Sequence, residues 1–189
     1  MLQSLCNLIV MKRFIFVTGN QNKAKELENY LGVTVTCQKL DLPEIQSLDL
    51  EEVAIAKAKK AYEIIKTPVL IEDTALTFKA MGKLPGPFIK YFLESLQNEG
   101  MTNLLNNYKN REATATTCFA LAEENEVITF VGEVSGVIAS QPRGDEGFGW
   151  DAIFIPDGSS KTWAEMNLDE KQQNSMRSLA LNKLKRFLV

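Results

Sequence analysis

The sequence predicts an α/β domain built on a mixed sheet, and three observations carry that prediction. Runs rich in Val, Ile, Phe and Thr, bounded by Gly, Pro or Asp, recur at residues 14–18, 33–38, 69–72, 113–122, 127–134 and 152–155. Helical patterns separate the early runs, whereas the later runs 113–122 and 127–134 follow one another across a short connection. Apolar residues make up 45% of the 189 and charged residues 24%, as in a chain that buries a real core. That length corresponds to one domain, at residues 14–189, after an extension at 1–13.

Each helix has its own signals. The segment 23–31 stops at Gly32, and 51–65 opens with Glu51 and Glu52 in its first turn, with Pro68 soon after its end. A third helix is expected over 86–97 and a closing one over 167–188. In the second, Ala54, Ala58, Ala61 and Ile65 share a face through spacings of four, three and four. Lys57 lies on the same side. Either its stem snorkels to water, or its charge faces an anion near the sheet edge.

Charge and composition exclude several functions. A net charge of −3 lacks the basic surplus of a protein that grips long nucleic acid. Any phosphate held here belongs to a small ligand met by a few local cations. Cys6, Cys37 and Cys118 show neither zinc spacing nor a disulfide framework, so a reducing, cytoplasmic setting is expected. No histidine is present, which leaves carboxylates, lysines, hydroxyls and water for chemistry. The opening MLQSLCNLIV has no basic region or cleavage site, and it falls short of the ~20 apolar residues that span a bilayer. No membrane partner is expected.

Four segments carry candidate chemistry. In FVTGNQNKAK, residues 16–25, a strand runs into a helix through Thr18-Gly19-Asn20, with Lys23 following. Asn22 and Ala24 flank that lysine where a Walker loop needs Gly and Ser or Thr. In IEDTAL, Glu72 and Asp73 sit at the end of an apolar strand, where open α/β sheets bind ligands. Strand neighbours face opposite ways, so the two acids share a task only if the strand bends; otherwise Asp73 caps a turn. Glu44, beside Pro43, is a third acid beyond a strand, and magnesium is held by one or two carboxylates plus phosphate oxygens. LPGPFIKYF, residues 84–92, is a stiff turn leading to Lys90. In GFGWDAIF, residues 147–154, the glycines free the backbone around Phe148 and Trp150. Those rings form either a stacking surface for a flat base or a buried aromatic corner.

TGNxxK, EDTxL, LPGPFIK and GFGWDxIF occur here in that order, followed by KTWAEM and a terminal EKxxxSxR segment. With this set the sequence resembles the inosine triphosphate pyrophosphatase family over residues 14–188. These enzymes hydrolyse non-standard purine nucleoside triphosphates. The resemblance implies an elongated mixed sheet with flanking helices, two lobes and a central cleft, and a homodimer. It implies attack of water on the α-phosphorus of ITP, dITP or XTP, with magnesium, or manganese in its place, as cofactor. Thr18, Gly19, Asn20 and Lys23 then form a phosphate-binding turn of the family's own kind. Glu44 and Asp73 match the metal positions, with Glu72 beside them, and Asp73 matches the residue that activates water. Thr74, Lys57, Lys90 and Lys171 match the nucleotide site, Phe148, Gly149, Trp150 and Asp151 the base pocket, and Ser175, Met176 and Arg177 the terminal motif. Arg177 matches an arginine that contacts the 6-oxo edge of the base.

One position departs from the family. The terminal motif is usually Ser-His-Arg, whereas this chain has Ser175-Met176-Arg177. Methionine offers no N–H donor, so one contact to the 6-oxo group is absent or replaced. Two rival readings remain: a catalytically weak nucleotide-binding protein, and a pyrimidine-directed pyrophosphatase of the septum-inhibitor type, whose motifs differ from GFGWD and SxR.

Overall fold

The structure, a computed structural model, describes residues 12–188. Residues 1–11, which include Cys6 and most of the expected extension, lie outside the described residues, as does Val189. The chain runs β1 (Ile15–Val17), α1 (Gln21–Leu31), β2 (Thr36–Gln38), α2 (Leu50–Ile65), β3 (Val69–Phe78), β4 (Pro85–Gly86), α3 (Ile89–Asn103), β5 (Glu112–Ala122), β6 (Val127–Ile138), β7 (Phe154–Pro156), α4 (Leu168–Asn174) and α5 (Met176–Leu188). One sheet holds all the strands in the order β2-β1-β3-β5-β6-β7, with β4 paired to β3. β1 runs parallel to β2 and β3, and the remaining pairings are antiparallel. This is the expected mixed α/β sheet with flanking helices.

Local sequence explains the early elements. Asn20 caps α1, its side chain accepting from the Asn22 and Lys23 amides, and Gly32 ends the helix at φ 73°. Asp49 caps α2 by accepting from the Glu51 and Glu52 amides. Ala54, Ala58 and Ala61 of α2 are fully buried, against Val69, Ile71 and Ala120 on one face of the sheet. On the other face α1 and α5 cover Phe16, Leu70, Phe119 and Phe130. A third cluster, with Leu76, Phe78, Met101, Phe154 and Trp163, fills the far end of the long strands. Among the described residues no helix is long and apolar enough to cross a membrane.

Several boundaries differ from the sequence expectation. β3 continues to Phe78 because β5 pairs with it without interruption, from Val69 opposite Ala122 to Phe78 opposite Ala113. Asp73 is therefore a ladder residue opposite Cys118, and it does not cap a turn. β2 begins at Thr36 rather than at 33. β6 reaches Ile138 because β7 pairs along its end. α3 starts at Ile89 and runs to Asn103 through a kink at Gln97 (φ 54°). The closing helix is two helices, broken at Ser175, whose backbone is extended (φ −99°, ψ 144°).

α5 lies directly on β6, and one residue allows it. A Cβ on Gly132 would stand 1.9 Å from the Met176 carbonyl oxygen and 2.5 Å from the Ala180 nitrogen. Both are backbone atoms and cannot turn aside. Gly132→Ala should lift the start of α5 from the sheet and destabilise the fold by about 1–3 kcal/mol, the usual cost of overpacking. A lower urea midpoint with an unchanged m-value is the expected result.

Candidate active site

The cleft is organised by the alternation of β3. Glu72 and Asp73 are neighbours on an unbent strand, so their carboxylates leave opposite faces. Asp73 meets α2: its Oδ1 accepts from Lys57 Nζ at 2.7 Å, and the same ammonium donates to Glu44 Oε1 at 2.9 Å. Lys57 is thus turned inward rather than snorkelling. Glu72 meets α1 and α5: its Oε2 accepts from Arg177 Nη2 at 2.7 Å, and its Oε1 lies 3.5 Å from Lys23 Nζ.

Two chambers follow from this division. The larger, of about 540 Å³, is lined by the Thr18-Gly19-Asn20 turn, Lys23, Glu44, Lys57, Asp73, Thr74 and Lys90. The smaller, of about 110 Å³, is lined by Asp151, Trp163, Lys171, Ser175, Met176 and Arg177. Lys23, Glu72, Thr74, Phe148, Gly149 and Trp150 line both, so the chambers adjoin. Every candidate site residue named from the sequence lines at least one of them.

The larger chamber can take an anion at its lysines. Lys23, Lys57 and Lys90 line it among the acids Asp41, Glu44, Glu72 and Asp73. Burial works against charge on Lys57, but Asp73 and Glu44 outweigh it and hold its pKa above the ordinary value. Burial likewise pushes Glu44 up, but Lys57, Lys90 and Tyr91 outweigh it and hold it below the usual carboxylate range. The amides of the turn are already engaged within it. Asn22 and Lys23 donate their N–H groups to Asn20 Oδ1, and Asn20 donates its own to Thr18 Oγ1. The lysines, more than those amides, supply the attraction for an anion.

A cation would find a fitting place beside these lysines. Asp73 Oδ2 is buried with no hydrogen-bond partner among the described residues, and Glu44 stands across the shared lysine. Among the described residues no three acidic, histidine or cysteine groups gather. Two carboxylates completed by water and phosphate oxygens are the usual magnesium arrangement. Glu72, expected beside this pair, is not brought to it: its carboxylate is on the other face, held by Arg177 and Lys23.

The smaller chamber is walled by the GFGWD turn. Gly147 (φ 78°) leaves room for Asp151, whose Oδ2 would lie 2.2 Å from a Cβ there. That oxygen accepts from the Phe148 amide at 2.8 Å and from Lys171 Nζ at 2.5 Å. The two aromatics divide the readings open at the sequence level. Trp150 is a core residue, packed on Phe154 and Trp163. Phe148 is 37% exposed, with Lys171 Nζ 5.3 Å from its ring centre, and it offers a face to the cleft. Arg177 is nearly buried, and burial pushes it down to about 10, still cationic at neutral pH. Its Nη1 donates to Glu26, and its Nη2 donates to Glu72 and to the Lys23 carbonyl. Burial pushes Glu72 up to about 7, against the pull of Lys23.

Sequence reasoning missed Glu26, Tyr30, Trp163 and Leu181, all in the smaller chamber, and Tyr91 in the larger. Glu26 had a usable signal, since it stands three residues after Lys23 on one helix face. Trp163 lay inside the KTWAEM motif without a role attached. Its Nε1 is buried and unpartnered among the described residues.

Fold and cleft together define a mixed-sheet α/β protein with an anion chamber joined to an aromatic chamber. The profile of the Ham1 family matches residues 14–187, and the chain belongs to that family. It is 45% identical over 181 residues to an inosine triphosphate pyrophosphatase of Batrachochytrium dendrobatidis, covering 94% of each chain. It is 46% identical over 180 residues to the enzyme of the same name from Yarrowia lipolytica, covering 93% of this chain and 95% of that one. Among solved structures it resembles a Ham1 protein from Coxiella burnetii, with TM-score 0.81, 27% identity and coverage of 94% and 98% of the two chains. A dITP/XTP pyrophosphatase from Mycobacterium abscessus gives TM-score 0.72, 27% identity and coverage of 92% and 98%.

Asp151→Ala tests the wall of the aromatic chamber. It leaves the Phe148 amide and the Lys171 ammonium without their shared acceptor. Hydrogen bonds to charged groups contribute about 1.5–3 kcal/mol, so exchange of the Phe148 amide should quicken by roughly 10–100-fold. Hydrogen exchange read by NMR checks this against an unchanged amide in the β5 core.

Proposed function

We propose that the protein hydrolyses non-standard purine nucleoside triphosphates (ITP, dITP and XTP) to the monophosphate and pyrophosphate. The observation that carries this is the junction of the two chambers, where Lys23, Thr74 and Phe148 line both. A ligand with a flat ring at one end and a polyanion at the other fits across it, and the relatives bear the name of that activity.

The chain's own groups have these parts. Lys23, Lys57 and Lys90 bind and orient the phosphates as point charges. Asp73 Oδ2 takes a proton from the water that attacks the α-phosphorus. The bond from that phosphorus to the bridging oxygen breaks, and its electron pair leaves with pyrophosphate. Glu44 and Asp73 would hold magnesium, or manganese in its place, which supplies charge neutralisation on the phosphates when bound. Phe148 stacks on the base. Arg177 Nε, buried and unpartnered among the described residues, donates to the 6-oxo group. A donor there disfavours adenine, whose amino group would face it with no acceptor between them. A homodimer and a cytoplasmic place belong to the same reading; the family resemblance supports the first, and the free cysteines support the second.

The product test is direct. With magnesium and ITP, orthophosphate should stay near blank until inorganic pyrophosphatase is added. Release of orthophosphate with accumulation of the diphosphate refutes the bond assignment, and ITP bound but not consumed favours a binding protein. Asp73→Asn should keep the fold and lower turnover by at least ~10²-fold, the lower end for a lost acid–base group. Normal turnover in that variant leaves Asp73 a structural role only.

Met176 bears on selectivity. It lines the base chamber and is nearly buried, and it offers no N–H donor. One missing neutral hydrogen bond, about 0.5–1.5 kcal/mol, narrows the preference for ITP over ATP by up to roughly tenfold. Met176→His should widen the ratio of kcat/KM values. An unchanged ratio means that Arg177 already sets the selectivity.

A further inference from the structure

We propose that Glu72 is a positioning residue for base selection, acting through Arg177, and is not a metal ligand; this rests on the activity proposed above. Its side chain is 1% exposed, the most enclosed carboxylate of the cleft's ion pairs. A guanidinium is a rigid planar fork, so fixing its two terminal nitrogens fixes where Nε points. Three acceptors hold those nitrogens on Arg177: Glu26, the Lys23 carbonyl and Glu72. Glu26 is 39% exposed and can relax toward water. The Lys23 carbonyl belongs to the first turn of the same helix. Glu72 alone projects from the middle of the sheet, where β1 and β5 flank its strand. It ties the fork on α5 to a residue of β3 that is laddered to Phe119 of β5.

The same carboxylate also faces Lys23, whose Nζ is 3.4 Å from the Glu72 carbonyl oxygen and lines both chambers. One acid therefore fixes a donor in the base chamber and a cation at the junction with the anion chamber. Asp73 cannot share this task, and Glu72 cannot share that of Asp73, because the ladder points them apart.

The experiment compares wild type, Glu72→Gln, Arg177→Gln and the double variant. The double variant removes both buried charges together, so it guards against a single variant that does not fold. Binding of Mn²⁺ to each protein, without nucleotide, is read by EPR. The kcat/KM ratio for ITP over ATP is read on the same samples. Glu72→Gln should bind Mn²⁺ as wild type does and lose about tenfold or more of the ITP preference. The double variant should discriminate no worse than Arg177→Gln alone, because Glu72 acts through that side chain. A fall of about tenfold or more in Mn²⁺ affinity, an intact ITP preference in Glu72→Gln, or a further loss in the double variant overturns the inference. A wild type with no ITP preference removes the activity reading itself, and this inference with it.

Discussion

Side chains alternate along a strand, and the cleft depends on that alternation where two acids stand side by side on β3. A bend at this point would have put both carboxylates in one place. Ten ladder partners on β5 prevent it. The sheet therefore acts as a partition. Lysines from α2 and α3 and the acid of the 41–48 loop gather on the Asp73 side, while α1, α4 and α5 bring Glu26, Lys171 and Arg177 to the Glu72 side. The strand that separates the chambers also joins them, since Lys23 and Thr74 border each.

The two sides handle charge differently. Toward the anion chamber, Lys57 lies between two carboxylates, one of them 41% exposed. Those charges have water as an alternative partner, so the arrangement can exchange partners. On the other side, Glu72 and Arg177 are nearly sealed. Removing either partner alone strands a buried charge, which costs several kcal/mol, about 3–5. A pair that is costly to break makes a fixed reference point, and a pair that exchanges partners readily makes a binding site. The fold puts one of each on adjacent residues.

Much of this was legible in the sequence. Most strands, α1 with its stop at Gly32, α2 with its acidic first turn, and the inward face of α2 all carry local signals, and local signals are what a sequence displays. The candidate site residues were legible as a set, and the structure gathers them around one cleft. What escaped depends on long-range pairing. Glu72 and Asp73 read as a strand end because nothing nearby in the chain shows that β5 continues alongside them. The same holds for the C-terminal end of β6, which pairs with β7. Glu26 escaped because its importance comes from Arg177, 151 residues away in the chain.

The break at Ser175 shows why a helix boundary can matter to chemistry. In one continuous helix, Lys171 and Arg177 are six residues apart, about 600° of rotation, and would project roughly 120° from each other. That is too wide for both to point straight at the aromatic chamber. The extended backbone at Ser175 resets the axis, and both line it. Ser175 itself starts the new helix, its Oγ accepting from the Ser178 amide at 3.1 Å, as an N-cap serine does. Gly132 then lets the first turn of α5 lie against β6 at backbone distance. An interrupted helix, a capping serine and a glycine on a distant strand together put the guanidinium within reach of Glu72. None of the three carries a charge of its own, yet the position of the aromatic chamber's arginine follows from them.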